Sequence, residues 1–317
     1  MSSESAIVVE DLVKTFGSGR KAVRAVDSLT FSVRRGSIFG LLGPNGAGKT
    51  TTLRIMTTLL RPSAGRVEVL GHDVVKAPLE VRKRIGVVIQ EQAADLLLNV
   101  RDNLLTFARF HSLPSAIARR RAAEVMGQFG IDDVADRKVQ DLSGGVRRRV
   151  QVAKMFMVDV PIVFLDEFST GMDPILKRSV MDLLRAQAAR DRTIVLTTQV
   201  LTEAEELCDD ILIINRGKRI AHGTLHDLKM LTRRLYDVTL TFERLPEALS
   251  PLVATYDVES VKIVHNTVQL RLREQETRVL DLVAALGRQG RILRVEITGA
   301  TLEDVFVELT QETGVPR

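Results

Sequence analysis

A chain of 317 residues, 45% of them hydrophobic, holds one large domain and a smaller one, with enough apolar side chains for a sizeable core. A single cysteine excludes an intramolecular disulfide. The net charge of +5 suits an acidic phospholipid surface and nucleic acid equally, but two tyrosines and no tryptophan argue against base-stacking platforms.

In chain order, "AIVVEDLVKTF" and "SLTFSVRRGSIFGLLG" alternate or run apolar in strand-sized pieces. "KTTTLRIMTTLL" follows as a helix, so the glycine-rich run between them joins a buried strand to a helix. From about Asn99 to Gly130 the pattern is helical, broken in two at Pro114. "PIVFLDE" reads as a buried strand, "ILKRSVMDLLRAQAARD" as an amphipathic helix, "TIVLTT" as a strand and "TEAEELCDD" as a helix. Strands alternating with helices argue an α/β core with a largely parallel sheet. Past about Leu231 the texture changes. "YDVTLTF", "ESVKIV", "TVQLRLR" and "RILRVEI" read as strands, "ETRVLDLVAALGRQG" as a helix, and "TLEDVFVELTQ" as a last helix with Thr301 as its N-cap. The expected division is therefore 1–230, with a helical insertion at about 95–150, and 231–317 as an α+β accessory domain whose bland role is stability or dimerisation. No window approaches 18 consecutive apolar residues, and the N-terminus carries acidic residues rather than a signal-peptide core, so neither a membrane span nor secretion is expected.

"GPNGAGKT", Gly43 to Thr50, has the spacing G-x-x-x-x-G-K-[ST]. Its glycines let backbone N–H groups turn toward phosphate oxygens, and the helix that follows begins with unpaired N–H groups that favour an anion. Lys49 can reach β- and γ-phosphates, and the Thr50 hydroxyl can ligate Mg²⁺. The alternative, a chance glycine-rich turn, is weakened by the strand-to-helix placement. In "PIVFLDE", Asp166 ends the strand where it can hold the Mg²⁺ water shell. Glu167 follows at the strand tip, where it can orient or deprotonate an attacking water. Taken alone, such an acidic pair is more often a helix cap or a solvated edge.

With "LSGGVRRR", Leu142 to Arg149, added in this order, the chain resembles the nucleotide-binding subunits of ATP-binding cassette (ABC) transporters. The resemblance covers about residues 6–225 and implies a P-loop NTPase cassette with a helical subdomain, using ATP and Mg²⁺. It implies nucleotide contacts along Gly43, Pro44, Asn45, Gly46, Ala47, Gly48, Lys49, Thr50 and Thr51, with adenine stacked on Phe16. Gln90 would touch Mg²⁺ and sense the membrane partner, so the metal set is Thr50, Gln90 and Asp166. Ser143, Gly144 and Gly145 would clamp ATP held by a second subunit, so that a head-to-tail homodimer sandwiches two nucleotides; the hydroxyl, two backbone N–H groups and a helix start together make a second anion site. "GMD", Gly171 to Asp173, would lie between the two sites. Gln199, after "TIVLTT", stands where the family carries a histidine on the γ-phosphate. A glutamine donates a hydrogen bond but carries no charge. Glu167 and Gln199 are thus the expected catalytic pair.

Three positions depart from the family pattern: Val146 for glutamine, Phe168 for proline and Gln199 for histidine. "TTQ" before an acidic helix, together with "TLEDVFVELT", resembles the daunorubicin/doxorubicin-resistance exporter ATPases. That resemblance implies ATP hydrolysis driving a separately encoded integral-membrane permease, export of a small hydrophobic drug, antibiotic or lipid-like cargo, and a peripheral position on the cytoplasmic side of the membrane. Nucleic acid is not an expected partner. Two alternatives stay open: an ATP-binding regulatory subunit with little turnover, and a soluble cassette protein acting on nucleic acid or ribosomes. The arginines at 147–149 and 119–121 read as solvated or interdomain faces, with Arg148 or Arg149 also placed to orient the signature helix.

Overall fold

The computed structural model describes residues 5–88, 94–231, 235–246, 253–273 and 276–312. They form two compact units, Met1–His222 and Gly223–Arg317.

The first unit is built on a six-stranded sheet. Its strands are β3 (Ile38–Leu42), β6 (Ile85–Val88), β7 (Ile162–Asp166), β8 (Thr193–Thr198), β9 (Asp210–Asn215) and β10 (Lys218–Gly223), in the order β10-β9-β3-β8-β7-β6. β3 runs parallel to β8 and β9, and β7 parallel to β6 and β8, as the alternation of strands and helices predicts. Every residue of β3, β7 and β8 is buried, which explains why these segments read as unbroken apolar runs rather than alternations. Their period-two geometry sorts the side chains into two cores. Phe39, Leu41, Phe164 and Val195 enter one, with Leu53 and Ile55 of α1 (Lys49–Met56). Ile38, Val163, Leu165, Ile194 and Leu196 enter the other, with Val180, Met181 and Leu184 of α6 (Pro174–Ala188). Each such side chain contributes about 1.5–3 kcal/mol relative to exposure, so the central strands are the most firmly held part of the unit.

An antiparallel sheet not anticipated from the sequence covers the first of these cores. It contains β1 (Ser5–Phe16), β2 (Val23–Arg34), β4 (Ala64–Val69) and β5 (His72–Asp73) in the order β2-β1-β4-β5. Ile7, Val9, Leu29 and Val67 are its contribution to that core. A short helix, α2 (Pro78–Arg82), leads into β6.

The helical insertion forms over the opposite core, through α3 (Val100–Phe110), α4 (Ser115–Gln128) and α5 (Gly144–Ala153). Asn99 caps α3 by accepting from the Asp102 N–H at 2.7 Å. Pro114 stands at the N-cap of α4, so the expected break falls where proline can no longer extend a helix. The "TEAEELCDD" helix is shorter than its composition suggests: α7 spans Leu201–Leu207, Cys208 is extended, and Asp210 already begins β9. The Asp209 carboxylate accepts from the Ile38 N–H at 2.8 Å, which ties that corner to β3.

The second unit contains α8 (Leu225–Leu231), β11 (Leu235–Phe242), β12 (Val258–Val264), β13 (Thr267–Arg273), α9 (Glu276–Gln289), β14 (Ile292–Gly299) and α10 (Leu302–Glu312). Its sheet is antiparallel in the order β12-β13-β11-β14. Val279, Leu282 and Leu286 of α9 pack on Val238, Leu240, Phe242, Val268, Leu270 and Leu272. Thr301 caps α10 as expected: its hydroxyl accepts from the Asp304 N–H at 3.2 Å, and the Asp304 carboxylate accepts from the Thr301 N–H at 2.8 Å.

One buried cation holds the base of the first unit. Arg192, just before β8, donates to the carbonyls of Val160 at 2.9 Å, Val158 at 2.9 Å and Met155 at 3.0 Å, and burial lowers its pKa to about 10. Replacing it orphans several buried carbonyls at once. Arg192→Met is expected to cost about 3 kcal/mol in urea unfolding followed by circular dichroism, whereas Arg190→Met, at an exposed position, should leave the midpoint within error.

Candidate functional site

Strand register sets the site. Leu42 of β3 lies level with Thr198 of β8, and Asp166 of β7 with Thr197. The chain segments leaving β3, β7 and β8 therefore emerge together at the carboxyl ends of adjacent parallel strands, where open α/β sheets bind ligands.

The loop after β3 closes tightly at Gly48, whose φ is +105°; a Cβ there would lie 2.4 Å from the Ala25 carbonyl oxygen. Only glycine fits. α1 begins at the next residue, which aims its first-turn N–H groups at the loop's concave side. The Lys49 ammonium is buried and donates to the carbonyls of Gly43 at 2.8 Å and Pro44 at 3.1 Å. Burial lowers its pKa, and the neighbouring Glu167 and Asp166 carboxylates work against that shift.

Asp166 is buried, and both its carboxylate oxygens are used. One accepts from the Thr197 hydroxyl and the other from the Thr50 hydroxyl at 3.4 Å. A hydroxyl and a carboxylate in contact are the hard oxygen donors that Mg²⁺ takes, and two protein ligands suffice when phosphates and waters complete the octahedron. Glu167 follows in the left-handed region, φ +48°, and its N–H donates to the Thr197 carbonyl at 3.0 Å. A cavity of about 350 Å³ is lined by the run from Asn45 to Thr51, by Ala25 and by Glu167. Asn45, Gly46, Ala47, Gly48, Lys49, Thr50, Thr51 and Glu167 are thus brought together, with Asp166 in contact with Thr50 behind them.

Other expected residues stand apart from that cavity. Phe16 ends β1, half-exposed, with the Lys14 ammonium 5.2 Å from its ring centre. Gln199 is exposed, just beyond β8. Ser143 caps α5, its hydroxyl accepting from the Val146 N–H at 3.4 Å, and both Ser143 and Gly144 are exposed. Gly145 is pressed against the loop of Gly171: a Cβ on it would meet the Gly171 carbonyl oxygen at 2.5 Å. Gln90 lies outside the described residues. Two of the departures from the family pattern are core residues here. Phe168 is fully buried, and Val146 packs partly buried against the same cluster.

From sequence Arg148 belongs to a basic triad in which it or Arg149 is placed to orient the signature helix; the structure gives Arg148 a distinct place. It is buried, and its guanidinium donates to the backbone carbonyls of Asp166, of Glu167 at 2.8 Å and of Phe168 at 3.2 Å, and to the Gln151 side chain at 2.8 Å. Burial lowers its pKa, opposed by Asp166 and Glu167. The signal was present in the helical period: 148, 151 and 152 share one buried face of α5. Its neighbours differ. Arg147 donates to the Leu142 carbonyl at 2.9 Å and the Gln140 carbonyl at 2.6 Å, while Arg149 pairs with Asp173 at 3.0 Å. Glu203, by contrast, is not singled out by the sequence. Buried in α7, it accepts from the hydroxyls of Ser169 at 2.6 Å and Thr198 at 3.0 Å and pairs with Lys177 at 2.9 Å, which locks the end of β8 to the segment after Glu167.

Residues 26–170 match the family model described as ABC transporter. The daunorubicin resistance ATP-binding protein DrrA3 of Streptomyces coeruleorubidus is 39% identical over 317 residues, covering 97% of this chain and 96% of that protein. The Nod factor export ATP-binding protein I of Ralstonia nicotianae is 37% identical, covering 98% and 95%. A solved structure of the ATP-binding subunit of an ABC transporter superposes with a TM-score of 0.66 at 26% identity, over 72% of this chain and 93% of that one. A dimeric ATP-binding cassette in a post-hydrolysis state, bound to ADP and Pi, gives 0.65 at 23% identity over 69% and 98%, a likeness of fold.

Arg148 holds three successive carbonyls around a residue with positive φ, so its loss is expected to loosen Glu167 rather than the phosphate loop. Arg148→Gln should lower the single-turnover hydrolysis rate about 10-fold or more, the scale expected if Glu167 is the group that acts on the attacking water and is displaced, while KM for ATP changes less than about 2-fold. Arg148→Lys, which keeps the charge without the fork, should fall between the two. Equal losses in kcat and in ATP affinity would mark a general folding role instead.

Proposed function

This chain belongs to the ABC transporter family as an ATP-binding subunit, and we propose that its ATP hydrolysis powers a separate integral-membrane permease that exports a small hydrophobic drug, antibiotic or lipid-like compound. The observation that carries the reading is the convergence of Lys49, Thr50 and Glu167 on one cavity, with the Asp166 carboxylate against Thr50.

In this reading the N–H groups of Gly46 to Thr51 cradle the β- and γ-phosphates, and the Lys49 ammonium balances their charge. The Thr50 hydroxyl and the Asp166 carboxylate, with Gln90, hold Mg²⁺, which supplies charge neutralisation on the phosphates. Glu167 accepts a proton from the water whose oxygen bonds to the γ-phosphorus, as the bond from that phosphorus to the β–γ bridging oxygen breaks and ADP leaves with that oxygen. Gln199 donates a neutral hydrogen bond to a γ-phosphate oxygen, and Phe16 stacks on adenine. The exposure of Ser143 and Gly144 away from the cavity fits a clamp on ATP held by a second copy, in a head-to-tail homodimer. The proposed location is the cytoplasmic face of the membrane, with the membrane path assigned to the permease. Among the described residues no helix is long and apolar enough to cross a membrane. The similar proteins are named for daunorubicin resistance in one case and Nod factor export in another. The second name supports export for this chain, and the two together leave the cargo class broad.

A second reading, a subunit that closes on ATP with little turnover, is favoured by the exposure of Gln199 outside the cavity. Kinetics separate the two. Glu167→Gln is expected to bind ATP normally, to hydrolyse it about 10²-fold more slowly, and to accumulate an ATP-bound dimer that carries unhydrolysed ATP through gel filtration. A wild-type protein with no turnover, alone or with its co-purified membrane subunit, would favour the second reading.

For Gln199 the expected order of steady-state activity is wild type, then Gln199→His, then Gln199→Ala, then Gln199→Glu. Alanine removes one donor from the γ-phosphate and should slow hydrolysis about 10-fold, a typical effect of losing one transition-state hydrogen bond. Glutamate sets a like charge against phosphate oxygens. ADP binding, measured by calorimetry, should be nearly the same for all four, because ADP lacks the group contacted. Alanine activity equal to wild type would remove Gln199 from the mechanism.

A further inference from the structure

β14 is an edge strand, hydrogen-bonded on one side to β11. An edge presents unpaired backbone groups and is normally blunted by proline, lysine or a strong bulge. β14 contains neither proline nor lysine. Its one irregularity lies at its start, where Thr241 pairs with Arg294 and Phe242 with Ile292. From Arg294 onward the ladder is regular: Val295 lies opposite Leu240, and Ile297 opposite Val238. Leu240 and Val238 are fully buried beneath α9, so Val295 and Ile297 share the apolar face of the sheet. They are nevertheless 44% and 37% exposed, and Leu293 is 60% exposed.

The flank of α9 above this edge is apolar too. A Cβ at Gly287 would lie 3.4 Å from the Ile292 side chain, which turns that helix flank toward β14. Val283 and Leu280, four and seven residues back, lie on the same flank, and Leu280 is 54% exposed. An apolar strip therefore runs along the open edge.

The order of charges in β14 selects the occupant. Read outward from Val295, the strand places Arg294 on one side and Glu296 on the other, both on the polar face. If a second β14 pairs antiparallel across a two-fold axis through Val295, Arg294 faces the partner's Glu296 and Glu296 faces the partner's Arg294. Val295 then meets the partner's Val295, and Leu293 meets the partner's Ile297. A continuous sheet with matching faces allows only even shifts of register. Moving the axis one residue either way sets arginine opposite arginine or glutamate opposite glutamate, which is unfavourable. The strand is thus complementary to itself in one register, the property of an isologous interface.

We propose that β14 pairs edge to edge with β14 of a second copy of this chain, joining two four-stranded sheets into one of eight without any need for nucleotide. This contact is separate from the ATP-dependent pairing proposed above and does not rest on it.

The test uses the full chain without nucleotide, in sedimentation equilibrium. Wild type is expected to dimerise. Arg294→Glu and Glu296→Arg should each raise the dimer dissociation constant about 10-fold or more, because both symmetry-related pairs become like-charged. An equimolar mixture of these two variants should regain wild-type affinity, since each chain then faces a strand of opposite charge. A folding defect would not be repaired by mixing. In parallel, Val295→Cys should oxidise to a self-crosslinked dimer much faster than Val261→Cys on the opposite edge strand β12. A monomeric wild type, single variants that dimerise like wild type, failure of the mixture to recover, or equal crosslinking at both edges would each overturn the proposal. So would a loss of permease co-purification in these variants with self-association unchanged. The Glu167→Gln dimer formed with ATP is expected to persist in the charge variants, so either contact can fail without the other.

Discussion

A buried carboxylate organises the site. Leaving the Asp166 charge in the interior costs several kcal/mol unless its oxygens are satisfied, and two hydroxyls satisfy them. Thr197 is supplied by the level pairing of β7 with β8. Thr50 is supplied by α1, which starts as soon as the glycine loop has turned. One side chain therefore joins two parallel strands to the helix that carries the phosphate loop. The relative height of loop and strand tip follows from this contact, and the shape of the cavity follows from that height.

Around the same point the chain balances two cations against two carboxylates. Lys49 comes from the phosphate loop and Arg148 from the signature helix. For each, burial works against the charge, while Asp166 and Glu167 favour it. Their hydrogen bonds differ in kind. Lys49 is held by carbonyls of its own loop, whereas Arg148 is held by carbonyls of the segment that bears Glu167. A guanidinium suits that second task because its planar fork can serve several acceptors at once. The signature helix and the proposed catalytic glutamate are thus mechanically joined within one chain. The capped, exposed N-terminus of the same helix is the part proposed to meet the other copy's nucleotide.

The second unit follows a simpler rule. One helix covers the middle of a four-stranded antiparallel sheet, so the two edge strands carry core-type residues that the helix does not cover. Sheets of this size need a face covered to be stable. Here the uncovered margin on β14 combines aliphatic side chains with an ordered pair of opposite charges, which gives that edge both a reason to associate and a single register in which to do so.

The strand–loop–helix around Gly43 to Thr50, the strand ending at Asp166, the break at Pro114 and the strands and main helix of the second unit were all legible in the sequence. Each rests on a local cause: an unbroken apolar run, a glycine spacing, a proline or a change in period. The antiparallel sheet over the first core escaped that reading, because β4 and β5 are short and mostly polar and gain their order from pairing with β1. The helix end at Leu207 escaped it as well, since the Asp209 carboxylate that ties the corner does so through an N–H 171 residues away in sequence. The three arginines after the signature glycines are alike in sequence, and their separate duties come from which face of α5 each occupies and what packs there. Phe168 reads as a departure in a turn, but in the fold it is a core side chain. Local chemistry along the chain therefore determined which residues could hold a phosphate and where strands and helices would form. Tertiary structure decided which carboxylate is buried, which arginine holds the backbone carbonyls of the segment after it and which edge stays open, because those depend on burial and register between segments distant in sequence.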